Sequence, residues 1–234
     1  MDLAGQKAYY DERWAREGGA NVFEARRAEA IFERIARAGL VRPRILDLGC
    51  GRGWLAGALS ALGPTAAIDL ADLAAARARW PAVEFVTADL FQHPLPEAAF
   101  DLVVSQEVIE HVEDQAGYLD VAARCLKPGG LLVLTTPNGW VQARRTRREL
   151  EAWGLQPVER WLSRRALRQL LRLRFEVLET TTLIPGAGSR RSLLFWNSKK
   201  VRGLFGAIGL GGAFDRLRCK LGMGLHLIAL ARRR

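Results

Sequence analysis

Two carboxylates and an imidazole lie close together in the segment EVIEH, residues 107–111. Glu107, Glu110 and His111 are spaced at i, i+3 and i+4, which places them on one face if the segment is helical. On such a face the imidazole could take a proton as a general base. The three side chains could instead bind a divalent cation. A purely structural role for His111 is the third interpretation.

A second candidate group is the acid and three glycines of DLGCGRG, residues 47–53. Gly49, Gly51 and Gly53 allow positive φ and leave no Cβ in the way of a ligand. Because they follow an apolar run and precede a helical pattern, they indicate a cradle for a nucleotide-like group. A dinucleotide site would have glycine where Trp54 stands, and Asp47 favours a ligand with a positive group over a pyrophosphate.

Further acids follow the next two predicted strands. Asp69 comes about 20 residues after the loop, where a carboxylate can accept both ribose hydroxyls of an adenosine. Asp89 could accept from an exocyclic adenine amine, with Leu90 beside the ring. One such acid alone is more often a helix cap or a turn residue. Together with Asp47, and with no lysine in the loop, they indicate a nucleoside without phosphates.

Alternating strand and helix patterns must position these residues. Such alternation predicts right-handed βαβ units around a parallel sheet, with ligands outside the carboxyl ends of the strands. Gly39 and Pro43 end the first helical pattern, and Ser163 is a predicted N-cap. The predicted helices span 22–40, 54–62, 73–80, 118–126 and 164–173. The predicted strands span 45–48, 65–70, 83–88, 100–105, 130–136, 175–182 and the closing GLHLIALARR.

The composition is that of a soluble α/β domain. Of 234 residues, 49% are apolar and 26% charged, which is ordinary for a globular protein. Cys50, Cys125 and Cys219 are too far apart for a metal knuckle and too few for a disulfide scaffold, so a reducing compartment is expected. With no signal-peptide pattern and no apolar run near 20 residues, the protein is predicted to be cytoplasmic.

The motifs ILDLGCGRG, AID, ADL, FDLVVSQEVIEHV and LKPGGLLVLTTPN resemble those of class I S-adenosylmethionine-dependent methyltransferases. The resemblance runs from Ile45 to Asn138. It implies a doubly wound, Rossmann-like α/β fold with seven strands, mostly parallel with an antiparallel last strand, and helices on both faces. The EVIEH and TTPN motifs look closest to the ubiquinone-pathway O-methyltransferases. The E-x-x-E-H pattern also resembles that of the small-RNA 2′-O-methyltransferases, which supply a further downstream histidine. Here none precedes His226, which weighs against the metal interpretation.

The resemblance also implies the cofactor and its contacts. Asp47 and the loop 49–53 would hold the methionine part of S-adenosylmethionine, Asp69 the ribose and Asp89 the adenine. Residues 105–107 would line the sulfonium end. The full set of expected cofactor-binding residues is Asp47, Gly49, Cys50, Gly51, Gly53, Asp69, Leu70, Asp89, Leu90, Ser105, Gln106 and Glu107. The implied reaction is displacement at the sulfonium methyl by O, N or C of an acceptor. A hydroxyl acceptor needs a base, for which His111 is the candidate.

The predicted organisation is an N-terminal helical lid over residues 1–43 and a methyltransferase domain over 44–234. Tyr9, Tyr10 and Trp14 suggest that the lid covers the cofactor, although aromatics at this spacing also suit a small satellite core. An insertion over about 185–222 mixes basic and apolar residues, and long insertions are usually functional. It would form a substrate cap whose apolar walls are Leu193, Leu194, Phe195, Trp196, Leu204, Phe205 and Phe214.

The charge distribution bears on the acceptor. The net charge is +10, and acids outnumber bases up to Trp140, whereas bases greatly outnumber acids afterwards. A basic last third suggests an anionic partner. A small or lipid-linked acceptor with an anionic group, and with peripheral membrane contact, fits this pattern. RNA is the alternative, and the absence of an RNA-binding motif favours the small molecule. A non-catalytic cofactor-binding protein and a NAD-dependent oxidoreductase stay open; the intact acids oppose the first, and Trp54 opposes the second.

Overall fold

Seven strands form one mixed sheet in the computed structural model, which describes residues 2–16, 21–186 and 198–234. The strands are β1 (Ile45–Leu48), β2 (Thr65–Asp69), β3 (Val83–Thr87), β4 (Phe100–Gln106), β5 (Leu126–Pro137), β6 (Phe175–Pro185) and β7 (Gly224–Arg233). Their order is β3-β2-β1-β4-β5-β7-β6, and β7 runs antiparallel to both its neighbours. The predicted α/β fold with an antiparallel last strand is confirmed.

Helices precede the sheet, connect its parallel strands and join β6 to β7. In the described chain they are α1 (Leu3–Arg16), α2 (Val22–Ala38), α3 (Trp54–Leu59), α4 (Ala74–Arg79), α5 (Gln115–Cys125), α6 (Gly139–Gln142), α7 (Arg147–Trp153), α8 (Arg164–Leu171), α9 (Lys199–Ala207) and α10 (Gly211–Lys220). Within these residues, no helix is long and apolar enough to cross a membrane. The cytoplasmic location stays a prediction.

The sequence signals for helix ends are the ones that the structure uses. The Asn21 side chain accepts hydrogen bonds from the backbone of Phe23 and Glu24, and Glu24 reaches back in a capping box, so α2 begins there. Gly39 ends α2 in the left-handed conformation with φ of 67°. Ser163 caps α8 through the Ala166 amide, as predicted.

The core lies on both faces of the sheet because alternate residues of each strand point to opposite sides. One layer packs strand residues such as Leu46 and Val103 against α5 and α8. The other packs Ile45, Leu102 and Val104 against α2 and α3. Covering both faces leaves the ends of the strands as the place for a site.

The insertion contributes α9 and α10 between β6 and β7. Phe205 and Phe214 stack on each other, with ring centroids 4.4 Å apart. The remaining predicted cap residues, Leu193, Leu194, Phe195 and Trp196, lie outside the described residues.

Candidate active site

A cavity of about 1060 Å³ lies at the carboxyl ends of β1, β2 and β4. Most of the residues singled out from the sequence line it: Asp47, Gly49, Cys50, Gly51, Asp69, Leu70, Asp89, Leu90, Gln106, Glu107, Glu110 and His111. Chemistry-bearing residues that are up to 64 positions apart in the chain, from Asp47 to His111, therefore share one space. Gly53 and Ser105 are the two predicted site residues that the structure places elsewhere.

The glycine loop between β1 and α3 needs its glycines for two different reasons. Gly49, Gly51 and Gly53 all have positive φ, at 85°, 52° and 71°. A Cβ on Gly49 would lie 2.5 Å from the Val108 side chain, which closes over the loop. A Cβ on Gly53 would collide with Phe85 at 2.7 Å. Gly53 is therefore a packing position under the loop and does not line the cavity, and its contact with the cofactor stays a prediction.

Ser105 supports the site from beneath and does not line the cavity. Its hydroxyl is buried and lies 2.7 Å from the Tyr118 hydroxyl, which donates to the Leu48 carbonyl at 3.1 Å. Because the one phenolic proton points at Leu48, Ser105 donates to Tyr118. Alternation along β4 turns Ser105 toward α5, while Gln106 lines the cavity. The structure therefore does not place Ser105 at the cavity wall, and its role at the sulfonium end stays a prediction.

Two carboxylates at the ends of β1 and β2 face the loop. Asp69 accepts the Gly51 amide at 2.7 Å and the Ala71 amide at 2.9 Å, so it holds the loop closed. Asp47 is buried, and its Oδ2 has no hydrogen-bond partner among the described residues. Burial, reinforced by the negative charge of Asp69, raises the pKa of Asp47 to about 7. An unpartnered buried carboxylate is suited to a positively charged ligand group.

Asp89 closes the far end of the cavity, after β3. Its Oδ1 accepts the backbone amide of Phe91 at 2.9 Å, which fixes the turn and the direction of the carboxylate. Leu70 and Leu90 flank the cavity on the same side. The three acids therefore stand in the order of their strands along one wall.

The EVIEH segment does not form the helical face that its spacing suggested. Glu107 has a positive φ of 58°, and only Ile109–His111 forms a 3₁₀ turn. The two carboxylates and the imidazole therefore do not converge as metal ligands do. No cluster of three or more potential ligand residues suited to a metal ion occurs in residues 2–16, 21–186 and 198–234. The i, i+3, i+4 argument is wrong because the chain turns sharply at Glu107 instead of starting a helix.

His111 lines the cavity in a fixed tautomer. Its Nδ1 lies 2.8 Å from the Val158 carbonyl oxygen, which can only accept, so Nδ1 carries the proton and Nε2 keeps its lone pair. Burial lowers the pKa of His111 and thereby favours the neutral ring. A neutral imidazole with a free lone pair at Nε2 has the properties of a general base.

Glu110 lies beside His111 and is wholly buried. Its Oε2 accepts a hydrogen bond from Thr136 Oγ1 at 2.8 Å, and its Oε1 lies 3.6 Å from His111 Nε2. Burial, together with the negative charge of Glu107, raises the pKa of Glu110 well above its usual range. The structure therefore favours the protonated acid next to the imidazole.

Arg27 and His226 complete the site and were missed in the sequence. His226 Nδ1 lies 2.7 Å from Glu107 Oε2, and its Nε2 lies 3.4 Å from Arg27 Nη1. Because arginine only donates, Nε2 accepts and Nδ1 donates to Glu107. Burial opposes ionisation of Glu107, but the Arg27 guanidinium and the hydrogen bond from His226 Nδ1 hold its pKa well below the usual range. The location of His226 could have been inferred from the predicted antiparallel closing strand, because its register pairs His226 with Pro137 at the carboxyl edge of the sheet.

Helix α1 forms the roof over the glycine loop. Tyr10 and Trp14 stack with centroids 6.3 Å apart and line the cavity. Trp14 lies 3.3 Å from where a Cβ on Gly51 would stand, and Arg52 lies over the Trp14 ring at 5.5 Å. The Asp72 amide donates to Asp11 at 2.7 Å and ties the roof to the loop after β2.

Comparison with known proteins settles the family. The methyltransferase domain family matches residues 23–179. The chain belongs to this methyltransferase family. A probable S-adenosylmethionine-dependent methyltransferase of Mycobacterium tuberculosis is 39% identical over 116 residues, which are 48% of this chain and 42% of that protein. The ubiquinone biosynthesis O-methyltransferase of Pseudomonas aeruginosa is 35% identical over 111 residues, 44% of this chain and 47% of that one. The chain thus spans less than half the length of these relatives.

Solved structures share the fold of this methyltransferase along its whole length. The N-methyltransferase NodS from Bradyrhizobium japonicum, in complex with S-adenosylhomocysteine, has a TM-score of 0.64 at 18% identity, covering 97% of this chain and 98% of that one. Magnesium protoporphyrin IX methyltransferase from Synechocystis has a TM-score of 0.62 at 16% identity, covering all of both chains. The expected class I S-adenosylmethionine-dependent methyltransferase is confirmed at the level of family, and S-adenosylmethionine is the family's cofactor.

Among the charged residues that line the cavity, acids outnumber bases, in contrast to the basic chain as a whole. The lining acids are Glu24, Asp47, Asp69, Asp89, Glu107, Glu110, Glu113, Asp114 and Glu159, against Arg13, Arg27 and Arg52. Among the described residues of the insertion, none lines this cavity. The described part of the predicted substrate cap therefore lies elsewhere, because α10 packs against the edge strand β6.

Proposed function

We propose that this chain transfers the methyl group of S-adenosylmethionine to an oxygen of a small or lipid-linked acceptor, with His111 as the base. The observation that carries the proposal is the meeting, in one cavity, of the glycine loop, the three strand-end acids and a buried neutral imidazole. The Pseudomonas relative is named as an O-methyltransferase, which favours oxygen over nitrogen or carbon.

The residues present fit the cofactor. Asp47 has an unpartnered, buried carboxylate oxygen for a positive amino group, and the positive-φ loop leaves room where a Cβ would intrude. Asp69 would accept from the ribose, Asp89 from the adenine, and Leu70 and Leu90 would flank the ring. Gln106 and Glu107 would face the methyl group. The cofactor supplies an activated methyl, so the protein contributes mainly positioning, which is worth about 7–11 kcal/mol.

His111 would remove the acceptor's proton as the methyl group is displaced. Its Nδ1 donates to the Val158 carbonyl, which orients the ring and leaves Nε2 to take the proton. The raised pKa of the neighbouring Glu110 favours its protonated form, which adds little negative charge beside His111. The lowered pKa of His111 keeps the base neutral near pH 7.

The charge of the lining bears on the acceptor class. An acid-lined cavity favours a neutral or cationic reacting part. Any anionic group of the acceptor would therefore lie outside it, toward the basic last third of the chain. RNA is less well supported, because among the described residues no arginine after Val141 lines the cavity. Within this proposal, residues 1–43 act as the lid through Tyr10 and Trp14, and residues 44–234 form the catalytic domain.

The deciding experiment compares His111→Asn with the wild-type chain on a panel of phenolic and catecholic acceptors and labelled S-adenosylmethionine. We expect kcat to fall about 10²- to 10⁴-fold, while the Kd for S-adenosylhomocysteine changes less than threefold. The acid limb of the wild-type pH profile should lie below the ordinary histidine pKa of about 6.5 and vanish in the variant.

His93→Asn is the matched control, because His93 does not line the cavity. Full turnover by His111→Asn would remove His111 as the base. S-adenosylhomocysteine binding without methylation of any acceptor would favour a non-catalytic cofactor-binding protein.

A further inference from the structure

The stretch 198–222, here called the basic hairpin, exposes an unusual amount of aliphatic surface. It comprises α9, α10 and their flanking turns. Five of its large apolar side chains are between 46% and 63% exposed: Leu204, Ile208, Leu210, Leu217 and Leu221. Single exposed leucines are normal on a soluble protein, but a group of them within one short segment marks an interaction surface.

The exposed side chains follow the helical repeat. Leu204 on α9 is four residues before Ile208, which directly follows that helix, and Leu217 on α10 is four residues before Leu221, which directly follows that one. The aromatic side chains of the hairpin contact each other, because Phe205 stacks on the buried Phe214. The hairpin therefore has an aromatic contact between its helices and an outer face on which the aliphatic side chains are exposed.

Positive charge accompanies the outer face. The hairpin has one acid, Asp215, against Lys199, Lys200, Arg202, Arg216, Arg218 and Lys220. Asp215 pairs with the buried Arg218 at 3.0 Å, so the exposed charges are basic. Lys200 precedes Leu204 by one helical turn, and exposed Lys220 adjoins Leu221. Long basic side chains beside aliphatic ones can extend to lipid headgroups while the aliphatic groups enter the acyl region.

We propose that the basic hairpin binds the surface of an anionic lipid membrane. The exposed side chains are aliphatic, as insertion among acyl chains requires, whereas recognition of unpaired RNA bases relies on aromatic stacking. The hairpin's described aromatic rings are occupied by each other. A second copy of this chain would bring two strongly basic surfaces together, which opposes self-association.

The hairpin is fixed to the sheet at the edge that carries the cavity. It leaves β6 at Pro185 and enters β7 at Gly224, two residues before His226. The Asn138 side chain, directly after β5, donates to the carbonyls of Gly222 and Gly224 at 3.0 and 2.8 Å. Membrane contact through the hairpin would thus bring the cavity edge of the sheet near the lipid surface.

The test is flotation of the full chain with vesicles of phosphatidylcholine alone or with one-third phosphatidylglycerol. We expect binding to the anionic vesicles only. Lys200→Gln combined with Lys220→Gln should weaken it about 25-fold, at about fivefold for each charge. Leu217→Ser with Leu221→Ser should weaken it at least tenfold. Lys127→Gln and Val41→Ser are matched controls at the opposite edge, where Val41 is 90% exposed, and should bind as the wild type does.

Several outcomes would overturn the proposal. These are the absence of vesicle binding, equal binding to neutral vesicles, or equal loss in the control variants. Stronger binding to polyuridylate than to vesicles would assign the surface to RNA, and concentration-dependent dimers lost in the leucine variant would assign it to a second copy. Wild-type affinity of every variant for S-adenosylhomocysteine confirms that the chain is folded. The outcome is independent of whether His111 is the base.

Discussion

The cavity and the basic hairpin lie at the same edge of the sheet and differ in almost every physical respect. Acids outnumber bases in the cavity, and two of them, Asp47 and Glu110, are buried with raised pKa values. The hairpin is basic, and its charged and aliphatic side chains are mostly exposed. The net charge of +10 therefore describes the outer surface and says little about the ligand in the cavity. Whole-chain charge suggested an anionic acceptor, whereas the lining favours a neutral or cationic reacting group.

Among the substitutions that test this difference between the cavity and the hairpin, the one at Asp69 should have the largest effect. Asp69→Ala removes the acceptor of the Gly51 amide and the proposed partner of the ribose. Lost hydrogen bonds to a charged group cost about 1.5–3 kcal/mol each, so affinity for S-adenosylhomocysteine should fall about a hundredfold. Calorimetric titration measures it.

Asp72→Ala is the control on the same loop, because Asp72 accepts the backbone amide of Ala74 and does not line the cavity. Its affinity for S-adenosylhomocysteine should stay within threefold of wild type. If Asp69→Ala binds as tightly as Asp72→Ala, the placement of the ribose is wrong.

Substitution of Asp47 should raise the stability of the fold while lowering affinity for S-adenosylhomocysteine. Its folded-state pKa of about 7 lies above the ordinary value, so ionisation disfavours the fold, and this cost grows as pH rises from about 4 to 7. Asp47→Asn removes the cost and should stabilise the ligand-free chain at pH 8 by up to about 4 kcal/mol. The gain should disappear near pH 4, while affinity for S-adenosylhomocysteine falls. Urea unfolding at both pH values measures the difference; equal stability at pH 8 would show that Asp47 is not strained by burial.

Alanine substitutions at two glycines with nearly the same φ distinguish the cost of backbone strain from the steric requirements of the glycine loop. Gly49 and Gly154 have φ of 85° and 83°, but only at Gly49 would a Cβ collide, with Val108. Each substitution by alanine should cost about 1 kcal/mol for the left-handed backbone. Gly49→Ala should cost more, by thermal unfolding, and should also weaken S-adenosylhomocysteine binding at least tenfold. Equal effects of the two substitutions would contradict the proposal that the glycine loop holds the cofactor.

Salt concentration should have the smallest effect on ligand binding in the cavity and a clear effect on vesicle binding by the hairpin. Between 50 and 500 mM salt, the Kd for S-adenosylhomocysteine should change less than twofold because buried charges are poorly screened. Binding to anionic vesicles should weaken at least tenfold, because its lysines and arginines are exposed. Fluorescence titration and flotation check the two values, and a parallel response would remove the distinction between the regions.

The fold and one wall of the cavity could be predicted from the sequence because both depend on local residue patterns. Apolar strands, the glycine loop and acids such as Asp69 and Asp89 lie where strand-end logic expects them. Residues that the structure does not place at the cavity wall have contacts set by tertiary structure. Gly53 meets Phe85 and Ser105 meets Tyr118, and neither contact is visible in local spacing.

Two further features of the site needed more than spacing. The turn at Glu107 is stabilised by partners far along the chain, His226 and Arg27, so an i, i+4 argument within EVIEH could not foresee it. His226 itself was accessible in principle, since an antiparallel strand beside β5 must begin at the carboxyl edge. Position along a predicted strand, and not residue type alone, would have placed it in the cavity.

The position of β7 has a consequence for the order in which the protein is made. β7 is synthesised after β6 yet lies between β5 and β6, so β6 has no place in the sheet until β7 emerges from the ribosome. Until then the apolar edge of β5 is open to other chains, as unpaired edges are. The same strand delivers His226 to Glu107. Pairing of β7 with β5 therefore covers the β5 edge and completes the cavity in the same step. A chain that lacks β7 does not contain the complete site.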